Sequence, residues 1–129
     1  MYYVGDFDNA PCVEMAAPEK RVLRCFISPL LDPTNQDIAL GMTEMQAGCK
    51  SDWRGHPEGE MFICVEGSGH VRIENDTIEL KKGSAVYVPK FAKHQLLADN
   101  NETFTVYWVL TPPFGGDKLV IDLANREKE

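Results

Sequence analysis

Three histidines, His56, His70 and His94, supply all the imidazole in the chain, so any metal or acid–base site has few residues to draw on. His56 and Glu60 flank the turn Pro57-Glu58-Gly59. If one strand runs into that turn and the next runs out of it, imidazole and carboxylate end on one face, a few ångströms apart. Two divalent-metal ligands then face a single cavity, and His94 is the natural third. Two imidazoles and one carboxylate leave coordination positions open for substrate or water, which is the arrangement of a catalytic ion rather than a structural one. His70 reads differently. In His70-Val71-Arg72-Ile73-Glu74 the apolar residues take one face and the polar ones the other, which puts His70 on the wet side of its strand.

Other chemistries find no purchase. Cys12, Cys25, Cys49 and Cys64 form no C-x-x-C pair, which argues against a structural zinc site and leaves them as small buried hydrophobes. No nucleophile elbow is present, and Gly67-Ser68-Gly69 is too short for a phosphate-binding loop. With 13 Lys+Arg against 20 Asp+Glu, the formal net charge is −7 and no basic run exceeds Lys81-Lys82, so nucleic acid is an unexpected partner. The N-terminus lacks the basic and apolar regions of a secretory signal, and no apolar stretch is long enough to span a bilayer. A cytoplasmic protein with no membrane partner is the expectation.

The elements that must position these residues are short. At 129 residues, 43% hydrophobic and 26% charged, the chain is expected to form one domain around one core. From residue 21 onward, β-prone runs alternate with turn chemistry, the pattern of an all-β sandwich or barrel. Strands are expected over 21–28, 38–46, 52–56, 60–65, 70–74, 77–81, 85–88, 93–98, 103–110 and 118–121, with a short C-terminal helix over 122–129. Asn75-Asp76 reads as a two-residue hairpin turn. The domain then divides into N-terminal strands and a connection (1–37), a barrel core (38–111), and a C-terminal strand and tail (112–129). By alternation, Phe62 and Cys64 share the face of Glu60 and line the barrel. Tyr107 and Trp108 point to opposite faces, so one of them lines the cavity.

Two segments carry a family resemblance. The run from Gly48 to Gly67, with His56, Glu60 and Gly67 in register, resembles the first motif of the cupin family: a glycine, H-x-H, a glutamate three or four residues on, then six residues and a glycine. The run from Gly83 to His94, with Pro89 between them, is similar to the second motif. The resemblance implies a small jelly-roll cupin, a double-stranded β-helix, with His56, Glu60 and His94 holding a divalent transition metal such as Fe, Mn, Ni or Zn. Two positions depart from the pattern. Arg54 stands where the first histidine of H-x-H belongs, and arginine is not a metal ligand because it does not deprotonate. Phe91 stands in place of a glycine of the second motif.

Arg54 lies two positions from His56, hence on the same face of an extended strand, and has three readings. It points into the barrel and holds a substrate carboxylate or phosphate; it pairs with Glu60 or Asp52 and replaces the metal; or it lies in solvent. The resemblance implies a metal-dependent enzyme acting on a small polar, anionic metabolite as a dioxygenase, isomerase or epimerase, decarboxylase or lyase; in such an enzyme the residues themselves offer Arg54 to fix a carboxylate and Glu60 to ligate the ion or move a proton, as the candidate catalytic groups. The alternative is a non-catalytic, small-ligand-binding barrel, metal-free with Arg54 paired to Glu60. Apolar pieces among the first 28 residues suggest pairing of two copies as a homodimer.

Overall fold

The computed structural model describes residues 2–128. Nine strands form two antiparallel sheets that pack face to face, followed by one helix: β1 (Cys12–Met15), β2 (Arg21–Ile27), β3 (Ala39–Met45), β4 (Gly59–Glu66), β5 (Ser68–Ile73), β6 (Asp76–Lys81), β7 (Ala85–Val88), β8 (His94–Ala98), β9 (Phe104–Thr111) and α1 (Gly116–Glu127). The larger sheet has the order β1-β2-β3-β9-β4-β7 and the smaller β6-β5-β8. Alternation decides what enters the core. Glu60, Phe62 and Cys64 of β4 point inward with Phe104, Val106, Trp108 and Leu110 of β9, and meet Val71 and Leu96 from the smaller sheet.

Gly67 joins β4 to β5 at φ +72°, and a Cβ there would overlap the Thr103 carbonyl, so the turn demands glycine twice over. Phe91, the departure from the second motif, adopts φ +68°, the left-handed region in which the motif's glycine would sit freely. The loop keeps its shape: the Phe91 N–H donates to the His56 carbonyl at 2.7 Å.

Four expectations are corrected. Residues 52–56 are not a strand. They run beside β8 through single bridges, Lys50 to Leu97 and Arg54 to His94, because Gly55 and Pro57 interrupt any longer ladder. Residues 118–121 belong to α1, not to a strand or an extended tail. The β-branched run misleads, whereas buried Asp117, Val120, Ile121 and Ala124 follow the i, i+3, i+4, i+7 spacing of a helix face. The helix therefore starts six residues earlier than 122, with Asp117 as an anchor: its carboxylate accepts from the Phe114 N–H at 2.8 Å and from the Ser28 hydroxyl at 2.7 Å. The hairpin turn is Glu74-Asn75, one residue before the expected pair, with Ile73 opposite Asp76. An unexpected strand, β1, pairs with β2 along its whole length.

Candidate metal centre

Each of the three candidate ligands comes from a different part of the sandwich. Glu60 is the second residue of β4 in the larger sheet, where its register partners are Val88 and Leu110. His94 opens β8 in the smaller sheet, opposite Ile73. His56 rides on the irregular segment that hydrogen-bonds to β8, with the Arg54 N–H donating to the His94 carbonyl at 3.3 Å and the His94 N–H to the Arg54 carbonyl at 3.1 Å. Trp53 stacks beneath the Arg72 guanidinium, 4.2 Å from ring centroid to carbon, and fixes the same segment against β5. One donor atom from each of His56, Glu60 and His94 lies within 4.8 Å of the others.

The hydrogen bonds of the two imidazoles define their tautomers. Nδ1 of His56 lies 2.9 Å from the Glu58 carbonyl and Nδ1 of His94 lies 2.9 Å from the Ala92 carbonyl. A carbonyl only accepts, so both Nδ1 atoms carry hydrogen, and this network assigns the remaining lone pairs to Nε2. Both Nε2 atoms converge on one oxygen of Glu60, at 3.1 Å from His56 and 3.2 Å from His94. Two neutral imidazoles would thus aim lone pairs at a carboxylate only 8% exposed. Electron-rich atoms gather there without a positive charge unless a proton or a cation lies between them. Orienting an imidazole through Nδ1 is also how metal-binding histidines are set for their ion.

The titration of the cluster follows from this geometry. The hydrogen bond to Glu60 raises the His56 pKa above its ordinary value, against the opposing pull of burial. For Glu60, burial pushes upward, but the hydrogen bonds and charge that the imidazoles offer when protonated at Nε2 outweigh it and hold the carboxyl below the usual range. The thiols are built for the opposite task. Burial, then the nearby Asp117 charge, push Cys25 up to about 12, and burial raises Cys64, so neither offers a thiolate.

The donors open onto a cavity of about 100 Å³, walled by Leu23, Thr43, Phe62, Trp108 and the α1 residues Leu119 and Val120. Trp108 is the member of the Tyr107–Trp108 pair that faces it, with its ring N–H donating to the Thr43 hydroxyl at 3.1 Å. Tyr107 lies on the outer face against Phe26. Of the two residues expected to share the Glu60 face, Phe62 packs 5.9 Å from the His94 ring, while Cys64 is buried deeper and does not wall the cavity. His70 stands apart from the cluster and pairs with Asp99 at 3.2 Å. A second recess of about 220 Å³ shares Arg54, His56, Leu110, Gly116 and Leu119 with the first and serves as its mouth.

Arg54 belongs to that mouth. Its Nε donates to Asp52 at 2.9 Å and its side chain is 61% exposed. The Arg54–Glu60 pair is not formed, since the Glu60 oxygen facing the cluster is taken by the two histidines. The Asp52 pair that does form leaves the ligand set intact. Two charged residues were missed in the sequence. Glu58 is buried, with one carboxylate oxygen 3.6 Å from His56 Nδ1 and no hydrogen-bond partner for it. Arg21, at the start of β2, also walls the cavity, its side chain only 11% exposed. Its signal was parity: Arg21 shares a strand face with Leu23 and Cys25, both core residues.

Comparison with known proteins agrees with this fold. The family described as Cupin domain matches residues 41–110, more than half of the chain, which therefore belongs to the cupin family. An RmlC-like cupin from Shewanella frigidimarina superimposes with a TM-score of 0.73 over 90% of this chain and 96% of its own, at 13% identity. A predicted oxalate decarboxylase from Thermotoga maritima superimposes with a TM-score of 0.73 over 85% of this chain and 99% of its own, at 12% identity. In sequence, the chain is 33% identical over 63 residues to the dimethylsulfoniopropionate lyase DddW of Ruegeria pomeroyi, a match spanning 49% of this chain and 41% of that protein.

Proposed function

We propose that the protein is a metal-dependent cupin enzyme acting on a small anionic metabolite, with His56, Glu60 and His94 holding the ion. One observation carries this reading: both imidazoles are locked through Nδ1 by backbone carbonyls, so their Nε2 lone pairs converge on a buried carboxylate oxygen. Bound there, iron, manganese, nickel or zinc would supply a Lewis acid with open positions for substrate oxygen. The chain's own residues do the rest. Glu60 offsets the ion's charge and its second oxygen is available to hold a proton, while Phe62, Trp108 and Leu119 restrict water in the cavity. Arg54 at the mouth attracts anions from a chain that is otherwise acidic.

Among the similar proteins are a lyase and a predicted decarboxylase, and bond cleavage is the reaction class we favour. A homodimer is part of the same proposal. The outer face of the larger sheet carries an apolar groove of about 570 Å³ lined by Val4, Phe7, Phe26 and Tyr107, with Phe7 64% exposed. Among the described residues no helix is long and apolar enough to cross a membrane, which is compatible with the cytoplasmic placement we favour.

Elemental analysis of protein purified without chelators tests the reading. The expected result is near-stoichiometric transition metal, lost together with turnover in His94→Ala. Metal retained in that variant would overturn the ligand assignment. Wild-type protein without metal would leave a small-ligand-binding barrel.

A further inference from the structure

The guanidinium of Arg21 is a buried charge without a matching hydrogen bond. Its Nε is shielded from solvent and has no acceptor. The nearest carboxylates, Glu19 and Asp52, stand 3.9 Å from Nη2, beyond hydrogen-bond reach. Asp52 is committed instead to Arg54 at 2.9 Å. Burial pulls the Arg21 pKa below its ordinary value, and the charges of Glu19 and Asp52, with a smaller effect from Glu60, only partly offset it. Two carboxylates at ion-pair distance temper the charge, but neither accepts a hydrogen bond, and a shielded guanidinium N–H is expensive to leave without an acceptor, so this position has room for one more anionic oxygen.

The cavity says which anion. Arg21 walls the same space as His56, Glu60 and His94. At about 100 Å³ that space is smaller than the roughly 150 Å³ apolar cavity that accommodates benzene, so its closed part holds about four to six non-hydrogen atoms. Arginine presents a planar fork matched to a carboxylate, and the histidine–glutamate cluster lines the same cavity, where a proton or a cation between its donors would accept a second oxygen. Arg54, more than half exposed at the mouth, lacks the desolvation that makes such a bond selective.

We propose that Arg21, not Arg54, anchors the substrate, which is a short carboxylic acid, a two- or three-carbon hydroxy acid or a two-carbon diacid, held with its carboxylate on Arg21 and a second oxygen toward the His56–Glu60–His94 cluster. This rests on the reading of that cavity as the active site, but it does not require the ion: the Arg21 contact forms with or without it. Leu23 and Thr43 beside Arg21 fix the width of the acid, and a longer chain would project past Leu119 into the mouth.

The probe is glycolate, compared with its neutral isostere glycolamide, titrated by calorimetry into chelator-treated and Co²⁺-loaded protein. Losing a charge-assisted, bidentate contact in Arg21→Met is expected to weaken glycolate about 10- to 100-fold and glycolamide less than about threefold. Arg21→Lys, which keeps the charge and loses the fork, falls between. In wild-type protein the Arg21 Nε–H resonance shifts with glycolate and stays with glycolamide, a readout that needs no variant to fold.

The proposal is overturned if Arg21→Met binds glycolate within about threefold of wild type, if both probes weaken alike, or if wild type binds no glycolate. Metal content is measured on the same samples. Arg21-dependent glycolate binding without any metal uptake would uphold this inference and sink the metal-centre reading; normal metal uptake with Arg21-independent binding would do the reverse.

Discussion

Replacing Glu60 by glutamine separates a metal site from a structural ion pair. The two Nε2 lone pairs face a single carboxylate oxygen at 3.1 and 3.2 Å, so above the His56 pKa the metal-free cluster has acceptors opposed to acceptors. A glutamine amide turned so that its NH₂ takes that place gives one hydrogen to each imidazole and satisfies both. Chelator-treated Glu60→Gln is therefore expected to melt at or above the temperature of chelator-treated wild type near pH 8. Metal reverses the order. An ion at about one hundred times its Kd stabilises the folded state by roughly 2.7 kcal/mol. With an unfolding entropy of about 2.1 cal/mol/K per residue, a chain of 129 residues gains about 0.27 kcal/mol/K at the midpoint, so wild type should rise by about 10 °C. Glu60→Gln should rise by less than about 2 °C, because the anionic donor is gone. Differential scanning calorimetry with and without Zn²⁺ reads both quantities. A full metal-induced rise in the variant, or a chelated variant that melts well below chelated wild type, would refute the reasoning and make Glu60 a salt-bridge partner of protonated histidines.

Further outcomes follow from the same contacts. His56, whose pKa is raised on folding, stabilises metal-free protein below its ordinary value of 6.5 and loses that contribution as pH rises through the folded value; Glu60, whose pKa is lowered, contributes above 4.5 and loses it on acidification. Chelator-treated wild type should thus melt highest between those two values, with the alkaline fall absent in Glu60→Gln, while the metal-induced rise shrinks as pH falls through the raised His56 value and protons compete for Nε2. A Cβ at Gly41 would overlap the buried Trp108 ring, so Gly41→Ala should cost about 1–3 kcal/mol and shift the tryptophan emission, read by denaturant titration. Light scattering should give a dimer mass for wild type and a monomer mass for Phe7→Asp, which places a charge in the outer apolar groove; a monomeric wild type would remove the dimer from the proposal.

The clustering of His56, Glu60 and His94 was legible because its spacing is local: His56 and Glu60 straddle one turn, and His94 follows Gly83 and Pro89 in a recognisable order. What the spacing could not convey was the support. The expected strand through 52–56 is absent, and His56 is placed instead by bridges to β8 and by Trp53 stacking on Arg72, contacts between segments far apart in sequence. Arg21 was overlooked for a related reason. A charged residue at a strand start reads as solvated, and only the course of the chain through β2 turns it toward residues more than thirty positions away. The 118–121 segment shows local preference overridden: a β-branched run forms helix because Val120, Ile121 and Ala124 can then bury one stripe against the sandwich. Phe91 is the converse, a side chain held at φ +68° by a loop whose path the neighbouring His56 carbonyl secures.

The wall formed by α1 has a consequence for how such a site diversifies. Gly116, Leu119 and Val120 close one side of the cavity, yet the His56–Glu60–His94 cluster and Arg21 all lie on the strands and the segment beside β8. The helix is secured to the sandwich by the buried Asp117–Ser28 hydrogen bond and its apolar stripe. Substitutions at Leu119, or a change in the length of the link between β9 and α1, therefore alter the shape and reach of the pocket while sparing the buried histidine–glutamate cluster and Arg21. Selection, or an engineer building a library, can explore new acids by varying a single peripheral segment, with the costly arrangement of buried charge inherited unchanged.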